Sequence, residues 1–290
     1  MKSSILSSDL HFHSIYSDGS STLKEIFEQA AKRSVGAIAL TDHDTVLGIP
    51  EEVQLSTQYG IDIITGIELT AKEEGLKFHV LGYGIDHLSQ ELINYSKSVL
   101  GEEWQKNLKQ IKLMQANGIE IDEQSFIEAG QGGPLYRAKF LGVLAKYGYI
   151  KEEDVMNLIP TYFGSNAPYY MPDDYDYLSF EEVAKLIKRN GGQVVLAHPG
   201  KIKKKNEGLY HELIGQTALD GLELYHPSNG LDVRQELLGI CQSRDLLITG
   251  GSDYHGLYNK KGTPLFGETL PQFVYEEMKH LIYQKNRQRY

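Results

Sequence analysis

Six of the ten histidines in this 290-residue chain, together with three carboxylates, fall at or beside short runs that read as strands. His11 and His13 lie two apart in Ser8-Asp-Leu-His-Phe-His13. On an extended strand such residues face the same side, so both imidazoles can reach one ion. Asp18 follows, before Gly19; Thr41-Asp-His-Asp44 sets His43 between two aspartates, and Gly66-Ile-Glu68 supplies a carboxylate. His79 sits in the apolar run Phe78-His-Val-Leu-Gly-Tyr83, His198 in Ala197-His-Pro199, and Asp253 and His255 two apart in Gly250-Gly-Ser-Asp-Tyr-His255. Singly, each has an ordinary explanation: an Asp-Gly pair makes turns, and a histidine in an apolar run packs into a core. Jointly they form a donor set of imidazoles and carboxylates, which suits Mn, Fe or Zn better than the all-oxygen shells of Mg or Ca. The chemistry open to such a set is hydrolysis by a water that bound ions acidify, with the ions also neutralising charge on the departing oxygen.

The elements that would position these residues alternate in the first hundred positions. Ser8 to His13 reads as a strand, Thr22-Leu-Lys-Glu25 as a capping box, and Leu23, Ile26, Phe27, Ala30 and Ala31 as the apolar face of a helix stopping near Gly36. A strand at Ala37 to Leu40, a helix through Glu51 to Tyr59, a strand at Ile61 to Thr65 and an apolar run at Phe78 to Leu81 follow. Strand-type runs resume at Gly192 to Ala197, Gly221 to Tyr225 and Leu246 to Thr249, separated by helices at Phe180 to Arg189 and Leu231 to Arg244. The candidate ligands stand at or beside these strands, so a barrel presenting its strand ends to one pocket would gather them. Between residues 96 and 179 the texture is helical, with amphipathic stretches at Glu102 to Asn117 and Tyr136 to Tyr147. The expected organisation is an α/β barrel from 1–95 and 180–290, with an inserted helical subdomain at 96–179 covering the active site.

Composition narrows the function. The chain is 41% hydrophobic and 23% charged, enough for a sizeable core, and its net charge of −10 disfavours sequence-blind attraction to a nucleic-acid backbone. No apolar run approaches the ~20 residues needed to cross a bilayer. The first ten residues, MKSSILSSDL, lack an apolar stretch before Ser7-Ser8-Asp9, and Cys241 is alone, so neither a secretory signal nor an internal disulfide is expected. A cytoplasmic location, no membrane association and no obligate protein partner are the expectations.

In order along the whole chain, Asp9-Leu-His-Phe-His13 with Ser17-Asp-Gly19, Thr41-Asp-His-Asp44, Gly66-Ile-Glu68, His79-Val-Leu-Gly-Tyr83, Ala197-His-Pro199 and Gly251-Ser-Asp-Tyr-His255 resemble the motifs of the PHP (polymerase and histidinol phosphatase) superfamily. The helical insertion and the runs Gly191-Gly-Gln-Val-Val-Leu-Ala-His-Pro199 and Gly221-Leu-Glu-Leu-Tyr-His-Pro227 resemble its stand-alone bacterial branch of nucleoside bisphosphate phosphatases and AMP phosphoesterases. The resemblance implies a distorted (β/α)7 TIM-like barrel with three divalent ions, Mn2+ foremost with Fe2+ or Zn2+ as alternatives. His11, His13, Glu68 and Asp253 would hold one ion. Glu68 would bridge to a second, bound also by His79 and His198, and Asp18, His43 and His255 would hold the third.

Where many members read Gly-Arg-Pro-His, this chain has Gly132-Gly-Pro-Leu-Tyr-Arg137-Ala-Lys139. Anchoring on Gly148 puts Arg137 on the family arginine and Lys139 on its histidine; anchoring on Pro134 puts Gly133 there instead. The first alignment is preferred, because an anionic substrate needs a cation and arginine offers phosphate a two-pronged fork. Arg137, Lys139 and His226 are thus the expected phosphate clamp, with Glu68, Asp253, His226 and Arg137 the groups closest to catalysis. Asp9 and Asp44 are expected to orient ligand histidines, and Lys201 to Lys205 to form a solvated loop that could also guide an anion. Tyr16, Tyr83, Tyr136 and Tyr254 lie nearest the motifs, where stacking on a base competes with core packing. The expected activity is hydrolysis of phosphomonoesters of nucleotides, with short 5′-phosphorylated RNA as a longer substrate. Alternatives are a histidinol-phosphate phosphatase, a small amidohydrolase and a non-catalytic, metal-stabilised binding or regulatory module.

Overall fold

The computed structural model describes residues 7–130, 135–173, 175–258 and 263–287. The N-terminal part runs β1 (Ser7–Phe12), α1 (Leu23–Lys32), β2 (Val35–Leu40), α2 (Ile49–Tyr59), β3 (Asp62–Ile63), β4 (Gly66–Glu73) and β5 (Leu76–Tyr83). Then come α3 (Gln90–Ala116), α4 (Glu123–Ala129), α5 (Arg137–Lys146) and α6 (Val155–Phe163). The chain returns through α7 (Phe180–Arg189), β6 (Gln193–Leu196), α8 (Pro199–Lys205), α9 (Glu207–Ile214), β7 (Gly221–Tyr225), α10 (Leu231–Arg244), β8 (Leu247–Gly250), β9 (Leu270–Pro271) and α11 (Gln272–Arg287). Among the described residues, no helix is long and apolar enough to cross a membrane.

Local sequence explains most of these boundaries. Thr22 and Glu25 form the reciprocal capping box that opens α1, and Ser179 with Glu182 does the same for α7. The apolar stripes of both helices, Leu23, Ile26, Phe27 and Ala30 in one and Phe180, Val183, Ala184 and Ile187 in the other, are buried.

The strands form two mixed sheets rather than the single closed ring expected. One has the order β3-β2-β1-β9, with β9 antiparallel; the other has the order β4-β5-β6-β7-β8, with β5 antiparallel to both neighbours. Between the sheets there are single bridges, His43 to Glu68 on one side and Phe12 to Tyr254 on the other. The ladders break there because the strand ends bend: Asp44 (φ 52°) and Asp253 (φ 52°) take left-handed backbone conformations that no regular strand accommodates. The Ile61 to Thr65 strand shrinks to Asp62–Ile63, and Glu68 lies within β4 rather than after a strand. β4 and β5 form a hairpin closed by Glu74 and Gly75, both at positive φ, the geometry whose twist suits a two-residue turn.

The helices between β5 and α7 carry their own apolar cluster, in which Ile111, Met114, Phe126, Phe140, Leu144 and Phe163 are buried. Each large side chain so buried stabilises by roughly 1.5–3 kcal/mol. The long helix α3 starts at Gln90, earlier than the change of texture near residue 96 suggests. The Lys201 to Lys205 run is not a loop but most of α8, which begins at Pro199 directly after His198.

Candidate metal centre

Six strands deliver the candidate ligands to one place. β1 carries His11, with His13 just past its end; His43 follows β2; Glu68 lies in β4, His79 in β5; His198 follows β6, and Asp253 and His255 follow β8. β7 contributes Glu223, with His226 one residue beyond it. Close backbone approach makes this convergence possible. A Cβ on Gly251 would lie 2.3 Å from the His11 nitrogen, and one on Gly66 2.6 Å from the Leu40 carbonyl oxygen. His198 itself turns the chain at φ 33°, one of the strained non-glycine positions that cluster at functional sites.

Glu68, wholly buried, is the hub. Its Oε2 lies 3.3 Å from His11 Nε2, 3.2 Å from His13 Nε2 and 3.1 Å from His43 Nδ1; its Oε1 lies 3.0 Å from both His79 Nδ1 and His198 Nε2. Asp253 Oδ1 completes a quartet at 3.5 Å from His11 Nε2 and 3.3 Å from His13 Nε2. Ligands at about 2.1 Å from one ion stand about 3.4 Å apart when four surround it, and the four imidazole-to-carboxylate separations here are 3.2–3.5 Å. A second group gathers Asp18, His43 and His255 together with His13; Asp18 Oδ1 is 3.2 Å from His255 Nε2 and Oδ2 is 3.8 Å from His43 Nε2. The third comprises Glu68, His79 and His43, with His198 Nε2 3.3 Å from His79 Nδ1. The structure thus brings together all nine residues the sequence nominated.

The centre's polar atoms fit metal ions better than they fit one another. His11 Nε2, His13 Nε2, His43 Nδ1, His198 Nδ1 and Glu68 Oε2 are buried without a hydrogen-bond partner, an arrangement costly unless a cation takes their lone pairs. Burial pushes His43 down to about 3 and depresses His198, so both are neutral donors at physiological pH. Burial acts the same way on His13, but Asp253 and Glu68 outweigh it and hold the imidazole up at about 10. Burial would raise Glu68, yet His79, His11 and His43 keep its carboxyl well below the usual range. The protons stored on such imidazoles are those that a binding cation displaces.

Around the ligands the structure adds residues and reassigns others. Glu223, which the sequence reading passed over, is buried; its Oε1 lies 2.7 Å from His11 Nδ1 and its Oε2 accepts from the His198 amide at 2.6 Å. That contact fixes the His11 ring with Nε2 toward the centre. The available signal was a carboxylate alone in the apolar strand Gly221-Leu-Glu-Leu-Tyr225. Lys201, expected in a solvated run, places Nζ 2.7 Å from Asp253 Oδ2, and His226 Nε2 lies 3.1 Å from the same oxygen. Asp9 and Asp44 do not orient imidazoles. Asp9 accepts from the Ser252 amide and hydroxyl, while Asp44 accepts from the Thr70 amide and hydroxyl and from Tyr95, so both brace backbone. Asp42 takes bonds from the Ser14 amide and hydroxyl and from Ser17, fixing the loop that carries Asp18.

Beside His43 and His79 opens a cavity of about 310 Å³, and Arg137 and Tyr136 line it. Lys139 is buried and its ammonium donates to the Ile15 carbonyl at 2.7 Å, bracing the same loop as Asp42 rather than lining the cavity. Residues 132–134, on which the alternative alignment rests, lie outside the described residues, as do residues 1–6. Of the four tyrosines nearest the motifs, Tyr83 is buried with its hydroxyl on the Leu10 carbonyl, Tyr16 bonds Glu51 and Tyr254 contacts Ser21, while Tyr136 lines the cavity, together with Tyr175 and Tyr177, and donates to the His43 carbonyl.

The chain matches the PHP domain over residues 9–230. It belongs to the PHP family. Phosphoribosyl 1,2-cyclic phosphate 1,2-diphosphodiesterase of Eggerthella lenta is 31% identical over 91% of this chain and 98% of its own length. The 3′,5′-nucleoside bisphosphate phosphatase of Chromobacterium violaceum is 28% identical over 85% of this chain and 86% of its own. A solved structure from Bifidobacterium adolescentis, assigned provisionally to the metal-dependent phosphoesterases, aligns with a TM-score of 0.82 at 26% identity, covering 93% of this chain and 94% of the other. The donor arrangement described above therefore stands in a PHP domain whose relatives are phosphoesterases.

Proposed function

We propose that this chain is a metal-dependent phosphoesterase that hydrolyses phosphate esters carried on ribose, with three divalent ions, Mn2+ foremost, held by the nine donors around Glu68. The observation that carries the reading is the junction of that donor cluster with the Arg137 cavity: a site for cations opens directly onto a pocket of small-molecule size whose wall carries the Arg137 guanidinium. The ions would supply an acidified water and neutralise charge on the phosphoryl oxygens. The chain's own residues do the positioning. Glu223 holds His11 by its Nδ1, Lys201 and His226 hold the outer oxygen of Asp253, and Lys139 and Asp42 fix the loop that carries Asp18. Arg137, on the cavity wall, offers two parallel N–H groups to non-bridging oxygens.

Within this reading, 1–95 and 180–290 form the distorted seven-stranded barrel, with β1, β2, β4, β5, β6, β7 and β8 as its staves and the two single bridges as its seams. Residues 96–179 form the cap, supported by the apolar cluster of α3 to α6. Nucleotide phosphomonoesters are the leading substrates. The near full-length match to the diphosphodiesterase favours a second reading, in which a ribose cyclic phosphate is opened and then released.

The test is phosphate release from 3′,5′-adenosine bisphosphate, AMP, phosphoribosyl 1,2-cyclic phosphate, a short 5′-phosphorylated RNA and histidinol phosphate, with Mn2+ and with chelator. Chelator-sensitive release from the ribose phosphates, with histidinol phosphate inert, is expected. Turnover of histidinol phosphate alone would replace the substrate class, and inertness toward all five with ions bound would favour a binding module.

A further inference from the structure

The donor group of Asp18, His43 and His255 differs from the two groups built on Glu68 in what carries it. Each Glu68 group contains two strand residues, His11 and Glu68 in one and His79 and Glu68 in the other, whereas Asp18, His43 and His255 all stand in connecting segments. Such segments hold ligands less precisely than strands do, so these three need bracing from outside. The bracing comes from the cap, and from a single helix of it.

Tyr136, Lys139 and Gly142 follow at every third position along α5 and its N-terminus, which puts them on one side of the helix. Each meets a different ligand segment. The Tyr136 hydroxyl donates to the carbonyl of His43 itself at 3.1 Å, and the Lys139 ammonium donates at 2.7 Å to the carbonyl of Ile15, three residues before Asp18. Gly142 faces Tyr258, three residues after His255; a Cβ at Gly142 would lie 2.5 Å from the Tyr258 hydroxyl. The Tyr258 ring packs on the apolar cluster of the cap, while its amide donates to the His255 carbonyl at 3.4 Å. Burial pulls the Lys139 ammonium down to about 8 against Asp18 and Asp42, and burial with Asp18 pushes the Tyr258 hydroxyl up to about 12, so both groups lie within the field of Asp18. The Glu68 groups are braced from the barrel instead, by Glu223 behind His11 and His198 and by Lys201 and His226 behind Asp253.

We infer that α5 is the positioning element for the ion of Asp18, His43 and His255: Tyr136, Lys139 and Tyr258 tie all three ligand segments to the cap, so that this ion binds tightly only with the cap seated. By linkage, its binding seats the cap in turn. Arg137 projects from the same helix to the cavity wall, so the seat of the cap also sets where that guanidinium stands. The inference rests on the three-ion part of the proposed function and deepens it.

Titration of chelator-treated protein with Mn2+ under equilibrium dialysis counts the ions and ranks their affinities, and the step lost in Asp18→Asn marks the ion in question. Tyr136→Phe and Tyr258→Ala leave the charge around Asp18 as it is. Tyr136→Phe should weaken the marked step about 3- to 10-fold, the range of one hydrogen bond, with the other steps near wild type. Tyr258→Ala should weaken it about 10-fold, and Tyr258→Phe, which keeps the ring, should restore it. In the wild type, amide hydrogen exchange across α5 should slow as the marked ion loads and not before. A marked step of wild-type affinity in both variants, equal weakening of all three steps, or exchange across α5 that follows the other ions would overturn the coupling and leave the cap a mere cover. Saturation of the wild type at two ions, or three ions of which Asp18→Asn loses none, would instead overturn the three-ion reading on which the coupling rests.

Discussion

The two ends of the cavity are built on opposite principles. At the metal end, short side chains on strand ends and tight turns converge on Glu68, and several of their polar atoms are left without protein partners. At the cap end, long flexible side chains from α3, β5 and the 170s segment pair with one another through Lys77, Asp173, Lys106 and Glu103. The first arrangement is unsatisfied until it receives a cation, and rigid backbone holds it open. The second satisfies itself through its own ion pairs. Precision belongs where chemistry occurs, and adaptability where substrates are distinguished.

Substitution should separate the two ends by size of effect. Glu68→Gln removes a charge shared by two of the three donor groups. Lewis-acid stabilisation is worth several kcal/mol, so kcat/KM should fall roughly a thousandfold or more, with bound metal lost by elemental analysis. Activity and metal content both at wild-type levels would break the comparison outright. Arg137→Ala lies between the ends: a loss of about 100-fold is expected with metal content retained, as for removal of a preorganised group that stabilises developing charge. Unchanged kinetics would take Arg137 out of the phosphate clamp.

Glu223→Gln tests whether the precision of the metal end depends on the shell behind it. The amide can still accept from one partner, but it cannot carry the charge that now faces His11 Nδ1. A 10- to 100-fold fall in metal affinity or activity is expected, the usual cost of losing such a support. Titration with Mn2+ and the steady-state rate give the measurement, and wild-type affinity would mean that β1 and β8 alone set the geometry.

The donors were legible in the sequence because each lies at or beside a strand, and strands announce themselves through short apolar runs. The capping boxes at Thr22 and Ser179 and the helix from Phe180 to Arg189 were equally plain, since local hydrogen bonds decide them. The β4–β5 hairpin was hidden because its turn, Glu74-Gly75, lacks the strong Asn-Gly or Asp-Gly signal and because Lys72, Glu73 and Lys77 obscure the alternation. Lys201 read as one of several solvated lysines, since the left-handed turn at His198 that swings α8 toward Asp253 leaves no mark in composition. Glu223 was missed for a related reason: its partners are 212 positions away at His11 and 25 at His198. Contacts of that range are decided by topology, which periodicity does not reveal. The cap end was least legible, because ion pairs between long side chains need no fixed spacing.

A buried carboxylate outside the cavity sharpens what Glu68 needs. Glu52, on α2, is as buried as Glu68, but its Oε1 accepts only from the Leu40 amide and its Oε2 has no hydrogen-bond partner. Burial pushes its pKa well above the usual carboxylate range, and Asp42 adds to the rise, whereas histidines pull that of Glu68 down. A folded-state pKa above the unfolded one means that folding takes up a proton. The stability this contributes is complete below about pH 4.5 and is lost as pH rises toward the folded value. Glu52→Gln keeps an acceptor for Leu40 and removes the ionisation, at the cost of an amide N–H without a partner, about 1–3 kcal/mol. The variant should therefore melt lower than wild type at acid pH and recover relative to it as pH rises. Melting temperatures of the two proteins between pH 4.5 and 8 measure the difference, and parallel curves would mean that Glu52 gains a cationic partner and resembles Glu68 after all.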